Sequence, residues 1–176
     1  VRYGVRSCTE QTGDFEMPNW CNNFLRIRSA DAAILARYRA AIEAGRLLAE
    51  CRPEPETETY RASFGAPGAS PEWHEWRIEN WGTKWEISLR DTGEITEATD
   101  EIRVGFDSAW SPPIEALRFA AERDGFSFVL FYDEPGMGFA GRACENDDDC
   151  YEYCELEEST RDAWAAEGFE VQDIKA

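Results

Sequence analysis

The sequence predicts an α+β domain in which helices cover an antiparallel sheet. Two observations point there. Hydrophobic residues make up 43% of the 176 and aromatics 13%, enough for one domain with a real core and far too many for a disordered chain. Strand-like and helix-like hydrophobic periods then alternate along the chain, broken by Gly, Pro, Asn and Asp.

Val1–Glu16 is polar, carries Gly4 and Gly13, and has no clear period, so it reads as a flexible leader or an upstream extension. Asn22–Arg28 alternates well enough for a strand. Ser29 and Asp31 offer caps for a helix over Ala32–Ala44, whose apolar stripe is Ile34, Leu35, Tyr38, Ala41 and Ile42, with Gly45 as its stop. Arg52–Ser70 reads as a long loop broken by Pro53, Pro55 and Pro67, with a short extended piece at Tyr60–Phe64. Ser70-Pro71 opens a helix that ends near Asn80, before Gly82. Trp85–Arg90 alternates strictly and predicts a strand, followed by a turn at Asp91-Thr92-Gly93. A second strand lies within Glu94–Phe106, surest at Ile102–Phe106. Ser111-Pro112-Pro113 opens a helix with Ile114, Leu117, Ala120 and Ala121 on one side and Gly125 as its stop. Phe126–Tyr132 is the strongest strand signal, rich in aromatics. Gly138–Ala143 and Tyr151–Leu156 form a hairpin, and Ser159–Glu167 a helix whose capping box pairs Ser159 with Asp162. The order β-α-(loop, helix)-β-β-α-β is that of a ferredoxin-like split βαβ sheet with helices on one face, here extended by a C-terminal hairpin and helix.

Acids number 36 against 18 Lys plus Arg, a formal charge of −18. That excludes a simple basic nucleic-acid binder and disfavours anionic membranes. No run of apolar residues is long enough to span a bilayer, and the first residues lack a signal-peptide core, so a soluble cytoplasmic protein is expected. The excess is uneven: Tyr132–Ala176 holds 14 acids and three basic residues. A solubilising surface and a surface built to meet a basic partner both fit this. For the second, the candidate contact residues are Glu145, Asp147, Asp148, Asp149, Glu152, Glu155, Glu157 and Glu158.

Cys144, Cys150 and Cys154 cluster, but only the second spacing suits a zinc site. Free thiols are expected over zinc or a local disulfide, and no metal or cofactor is expected. Asp147-Asp148-Asp149 lacks the alternation of a calcium loop and reads as a solvated turn. Gly136, Gly138 and Gly141 spell G-x-G-x-x-G, but a strand rather than a helix follows, against a dinucleotide site. His74, the only histidine, has no nucleophile at a telling spacing, so catalysis is not expected.

Four strings remain: Met17-Pro18-Asn19-Trp20-Cys21-Asn22-Asn23, Glu79-Asn80-Trp81-Gly82-Thr83-Lys84-Trp85, Phe106-Asp107-Ser108-Ala109-Trp110-Ser111-Pro112-Pro113, and Glu134-Pro135-Gly136-Met137-Gly138-Phe139-Ala140-Gly141. Trp20, Trp81, Trp85 and Trp110 either form an aromatic pocket that stacks a base or sugar, or fill the core at element ends. Together the strings resemble the YubB ferredoxin-like family of plasmids and phages, over about residues 17–143. The resemblance implies a ferredoxin-like domain over 17–143, with 1–16 an extension; residues 144–176 have no counterpart in it and read as an acidic, Cys-containing extension packed on the same domain. The resemblance also implies a mobile-element setting. The expectation is therefore an acidic protein that binds and inhibits a host nucleic-acid-handling defence complex of anti-CRISPR or anti-restriction type, as a possible DNA mimic. The alternative is a nucleic-acid-binding module using the tryptophans with Arg26, Arg28, Arg37 and Arg39, which the net charge opposes.

Overall fold

The computed structural model describes residues 19–64, 71–89 and 95–172. The leader at 1–16, Ser70 and the turn at 91–93 lie outside them. Thirteen elements follow in order: β1 Trp20–Arg28, α1 Ala32–Glu43, α2 Leu47–Cys51, α3 Glu58–Ser63, α4 Glu72–Trp81, β2 Ser88–Leu89, β3 Thr96–Ala98, β4 Glu101–Ala109, α5 Ile114–Asp124, β5 Ser127–Glu134, β6 Phe139–Cys144, β7 Asp148–Glu152 and α6 Glu158–Ala166.

The strands form one antiparallel sheet in the order β2-β4-β1-β5-β6-β7, with β3 also pairing β4. The ferredoxin-like arrangement is carried by β1 at the centre, flanked by β4 and β5; helices connect β1 to β2 and β4 to β5, while β3 turns directly into β4. Register follows the period-two pattern: Leu25 faces Val104 on one side and Leu130 on the other. With Ile27, Ile102, Phe106 and Phe128 these side chains meet Leu35, Tyr38, Ile42, Leu117 and Ala120 in the main core. Each such Leu, Ile or Phe contributes about 1.5–3 kcal/mol by leaving water. The opposite face is not bare. α6 and the segment after it cover it through Phe131, Ala140, Leu156, Trp164 and Phe169. The Phe131 ring lies 5.9 Å from Trp164 and 5.7 Å from Phe169.

Several expectations are corrected. The extended piece at Tyr60–Phe64 is instead helix α3, because the Thr57 side chain accepts from the Tyr60 N–H and caps it. The strand expected over Trp85–Arg90 shrinks to Ser88–Leu89, since Glu86 turns inward. Its carboxylate accepts N–H bonds from Leu48 (2.8 Å) and Ala49 (3.0 Å), capping α2 from 38 residues away. Burial pushes the Glu86 carboxyl up despite these bonds. In the hairpin, the second arm is Asp148–Glu152 rather than Tyr151–Leu156, so two of the three aspartates lie in a strand rather than a turn. α6 is capped at Glu157, not through a Ser159 box.

The α1–α5 seam holds an ion network. Asp124 accepts from Arg123 (2.7 Å), Arg37 and the Tyr38 hydroxyl, while Arg123 donates to the Cys51 carbonyl (3.0 Å). Arg123 above all holds the Asp124 carboxyl down to about 2. The folded value lies below the unfolded one of about 4. The contribution of Asp124 is therefore complete above that pH and is lost as pH falls toward 2. Acid titration of stability will show Asp124→Asn flattening the loss between pH 4 and 2, by roughly 2 kcal/mol.

Candidate binding surfaces

The described residues of the four sequence strings, from Asn19 onward in the first, meet at one end of the sheet, and hydrogen bonds explain most of their polar residues. Asn23, almost fully buried, donates to Ser108 Oγ (2.9 Å) and to the Cys21 carbonyl (2.8 Å). Ser108 donates to the Ser111 carbonyl (2.7 Å), Ser111 to the Gly82 carbonyl, and Thr83 to the Ala109 carbonyl (2.8 Å). Gly82 closes α4 at φ 81°, and a Cβ there would sit 3.0 Å from the Pro112 carbonyl oxygen, so the α4 end and the α5 start touch through backbone. Glu134, fully buried, accepts from the Gly136 (3.0 Å) and Met137 N–H groups and so holds the turn after β5. The G-x-G-x-x-G string is thus a turn entering β6, with no helix after it.

The tryptophans divide. Trp81 is 1% exposed and packs against Trp76 in the core, so it leaves the expected pocket. Trp20, Trp85 and Trp110 form a surface row, with ring centroids 6.4 and 5.3 Å apart and successive planes tilted by 51° and 48°. Lys84 Nζ lies 5.1 Å from the Trp85 ring centre and 4.9 Å from that of Trp110. Trp110 has φ 64°, the only positive φ among the described non-glycine residues. The Ser111 N–H reaches back to the Ala109 carbonyl (2.9 Å), so Trp110 is the centre of a left-handed γ-turn. A bulky residue in that conformation costs about 1–3 kcal/mol. The Trp110 N–H bond to the Asn19 carbonyl (2.8 Å) helps hold it.

The acidic candidates also divide. Glu145 accepts from the Phe128 N–H (2.7 Å), and Asp148 from the buried Tyr132 hydroxyl (2.8 Å), so both hold the fold. Asp148 is exposed all the same, as are Asp147, Asp149, Glu152, Glu155, Glu157 and Glu158. They run along the outer edge of the sheet and into α6 on a fixed frame: Arg118 donates to the Asp147 carbonyl (3.1 Å), and the Tyr153 N–H to the Gly138 carbonyl (2.8 Å). Acids on an open edge also block strand pairing with another chain. The arginines proposed for nucleic acid are engaged. Arg26 pairs with Glu167 (2.8 Å), Arg28 with Glu101, Arg37 with Asp124 and Glu50, and Arg39 with Glu43 (3.0 Å).

Sequence reading missed the buried acids. Asp133 lies under the α6 face, accepting from the Tyr153 hydroxyl (3.0 Å) and the Gln172 N–H (2.9 Å). Glu101, 3% exposed, is clamped by Arg28 and Arg103. Burial opposes its charge, but the two guanidiniums outweigh that and hold its carboxyl below the usual range. Burial pushes the Cys21 and Cys51 thiols up, so neither is a thiolate nucleophile. Cys144, Cys150 and Cys154 are unpaired, and no group of three metal-ligating side chains forms among the described residues.

A family model described as the ferredoxin-like domain in Api92-like protein matches residues 80–174, more than half of the chain. The chain belongs to this family. The Api92-like match runs from the end of α4 through α6, so it takes in the Cys-containing hairpin and acidic helix that the sequence reading set outside its resemblance. The crystal structure of a protein Api92 from Yersinia pseudotuberculosis is similar at 14% identity and a TM-score of 0.48, covering 76% of this chain and 98% of that one. No curated protein matches the chain. No helix among the described residues is long and apolar enough to cross a membrane.

Proposed function

We propose that this Api92-like protein binds the basic, nucleic-acid-handling surface of a host complex through its acidic edge and blocks that surface. One observation carries the reading. Six exposed carboxylates, at Asp147, Asp149, Glu152, Glu155, Glu157 and Glu158, lie along a hydrogen-bonded edge and helix start. Carboxylates on a rigid frame occupy sites meant for phosphates, and charge matching speeds the encounter. The resemblance of the four strings to a plasmid and phage family supports a mobile-element origin. In that setting the target is a defence complex of CRISPR or restriction type in the host cytoplasm. The arginines needed for direct nucleic-acid binding are in ion pairs instead.

The test is affinity capture from bacterial lysate with and without excess duplex DNA. The expected result is recovery of a nucleic-acid-binding complex that the DNA displaces. Recovery of nothing, or of proteins that DNA leaves in place, overturns the reading.

A further inference from the structure

The tryptophan row starts on β1, which β5 and β6 separate from the acidic edge strand β7, and it has its own chemistry. A cavity of about 310 Å³ lies there, lined by His74, Ile78, Lys84 and Trp110. It gathers the chain's only histidine and one of its two lysines. Ile78 is 42% exposed and Trp110 half-buried, so an indole and an aliphatic side chain are both open to a ligand. The γ-turn at Trp110 is backbone strain with no evident part in the core, and its effect is to place this ring beside Lys84.

We infer that this cavity binds a nucleoside monophosphate, its base against the Trp110 ring and Ile78 and its phosphate at Lys84 and His74. A flat ring suits an indole face. Lysine supplies three donors and no acceptor, so the group it meets must bring acceptors, as a phosphate does and a neutral sugar does only in part. The charge of the chain sets the size. One ammonium matches a single phosphate, with the imidazole beside it as a further hydrogen-bonding group, whereas a net −18 opposes a longer polyanion. The site is independent of the acidic edge, since none of its four residues lies there.

Calorimetric titration of the full chain with adenosine 5′-monophosphate, adenosine and inorganic phosphate tests this. The nucleotide is expected to bind saturably, at least tenfold tighter than either fragment. Trp110→Gly removes the ring while accepting the left-handed backbone, and circular dichroism checks that the fold remains. Lys84→Gln leaves the ring in place. Each is expected to weaken the nucleotide at least tenfold, and Lys84→Gln to close most of the gap between nucleotide and nucleoside. Absence of saturable binding at millimolar nucleotide overturns the proposal. So does nucleotide binding that both variants leave unchanged, or adenosine bound as tightly as its monophosphate.

Discussion

Gly141→Ala is expected to destabilise the protein by roughly 3 kcal/mol, a large share of the 5–15 kcal/mol of a typical domain. Gly141 lies mid-strand in β6, where Tyr132 crosses over it to donate to Asp148 on the edge strand. An added Cβ would sit 2.6 Å from the Asp149 carbonyl oxygen, and closer still to the Tyr132 ring and hydroxyl. Neither neighbour moves cheaply: the carbonyl belongs to a paired strand, and the tyrosine is 2% exposed. Tyr132→Phe in the same background restores little, because a ring carbon stands in the way as well as the oxygen. Gly138→Ala is the control. Gly138 has φ 75° and open space around it, so its loss reflects backbone strain alone, about 1 kcal/mol. Denaturant unfolding of the three variants separates the two causes.

The second large effect concerns binding. Reversing or removing the exposed edge charges is expected to weaken the DNA-displaceable partner at least hundredfold while leaving the fold intact. The structure dictates which acids to change. Glu145 and Asp148 are spared, because losing either leaves a buried N–H or hydroxyl without its acceptor, at about 1–3 kcal/mol. Asp149 and Glu152 are changed to Lys, which reverses the charge yet keeps the open edge guarded against strand pairing. Asp147 becomes Asn, and Glu155, Glu157 and Glu158 become Gln. Glu157 and Glu158 also sit at the positive end of the α6 dipole, so their neutralisation costs up to about 1 kcal/mol. Thermal unfolding and partner affinity, measured on the same preparation, distinguish loss of contact from loss of fold.

What could be read from the sequence was local. α1 and α5 followed from helical periods and α4 from its Ser-Pro start, bounded by Gly45, Gly125 and Gly82, and all three glycines have positive φ. β5 followed from its aromatic run, and the order of elements sufficed for the ferredoxin-like sheet. What failed was non-local. The alternation at Trp85–Arg90 is real, but Trp85 turns to meet Trp20 and Trp110, and Glu86 caps a helix 38 residues earlier. α2 and α3 are five and six residues long, too short to show a period. The start of β7 was missed because aspartate is rare in strands, and only an open edge tolerates two in succession. Nothing in the composition separates Trp81, sealed in the core, from Trp20, at 43% exposure on the rim. The acidic surface was readable as charge, but not that Asp133 and Glu134, counted within it, are fully buried.

The dependence of partner affinity on salt tests the central claim most directly. Six exposed carboxylates facing a basic groove should make the logarithm of affinity fall steeply and linearly with the logarithm of salt, with a loss of roughly tenfold or more between 0.05 and 0.5 M. The charge-altered variant should lose most of that slope. An affinity for the captured complex that stays flat across this range, or a slope that the variant retains in full, contradicts the account.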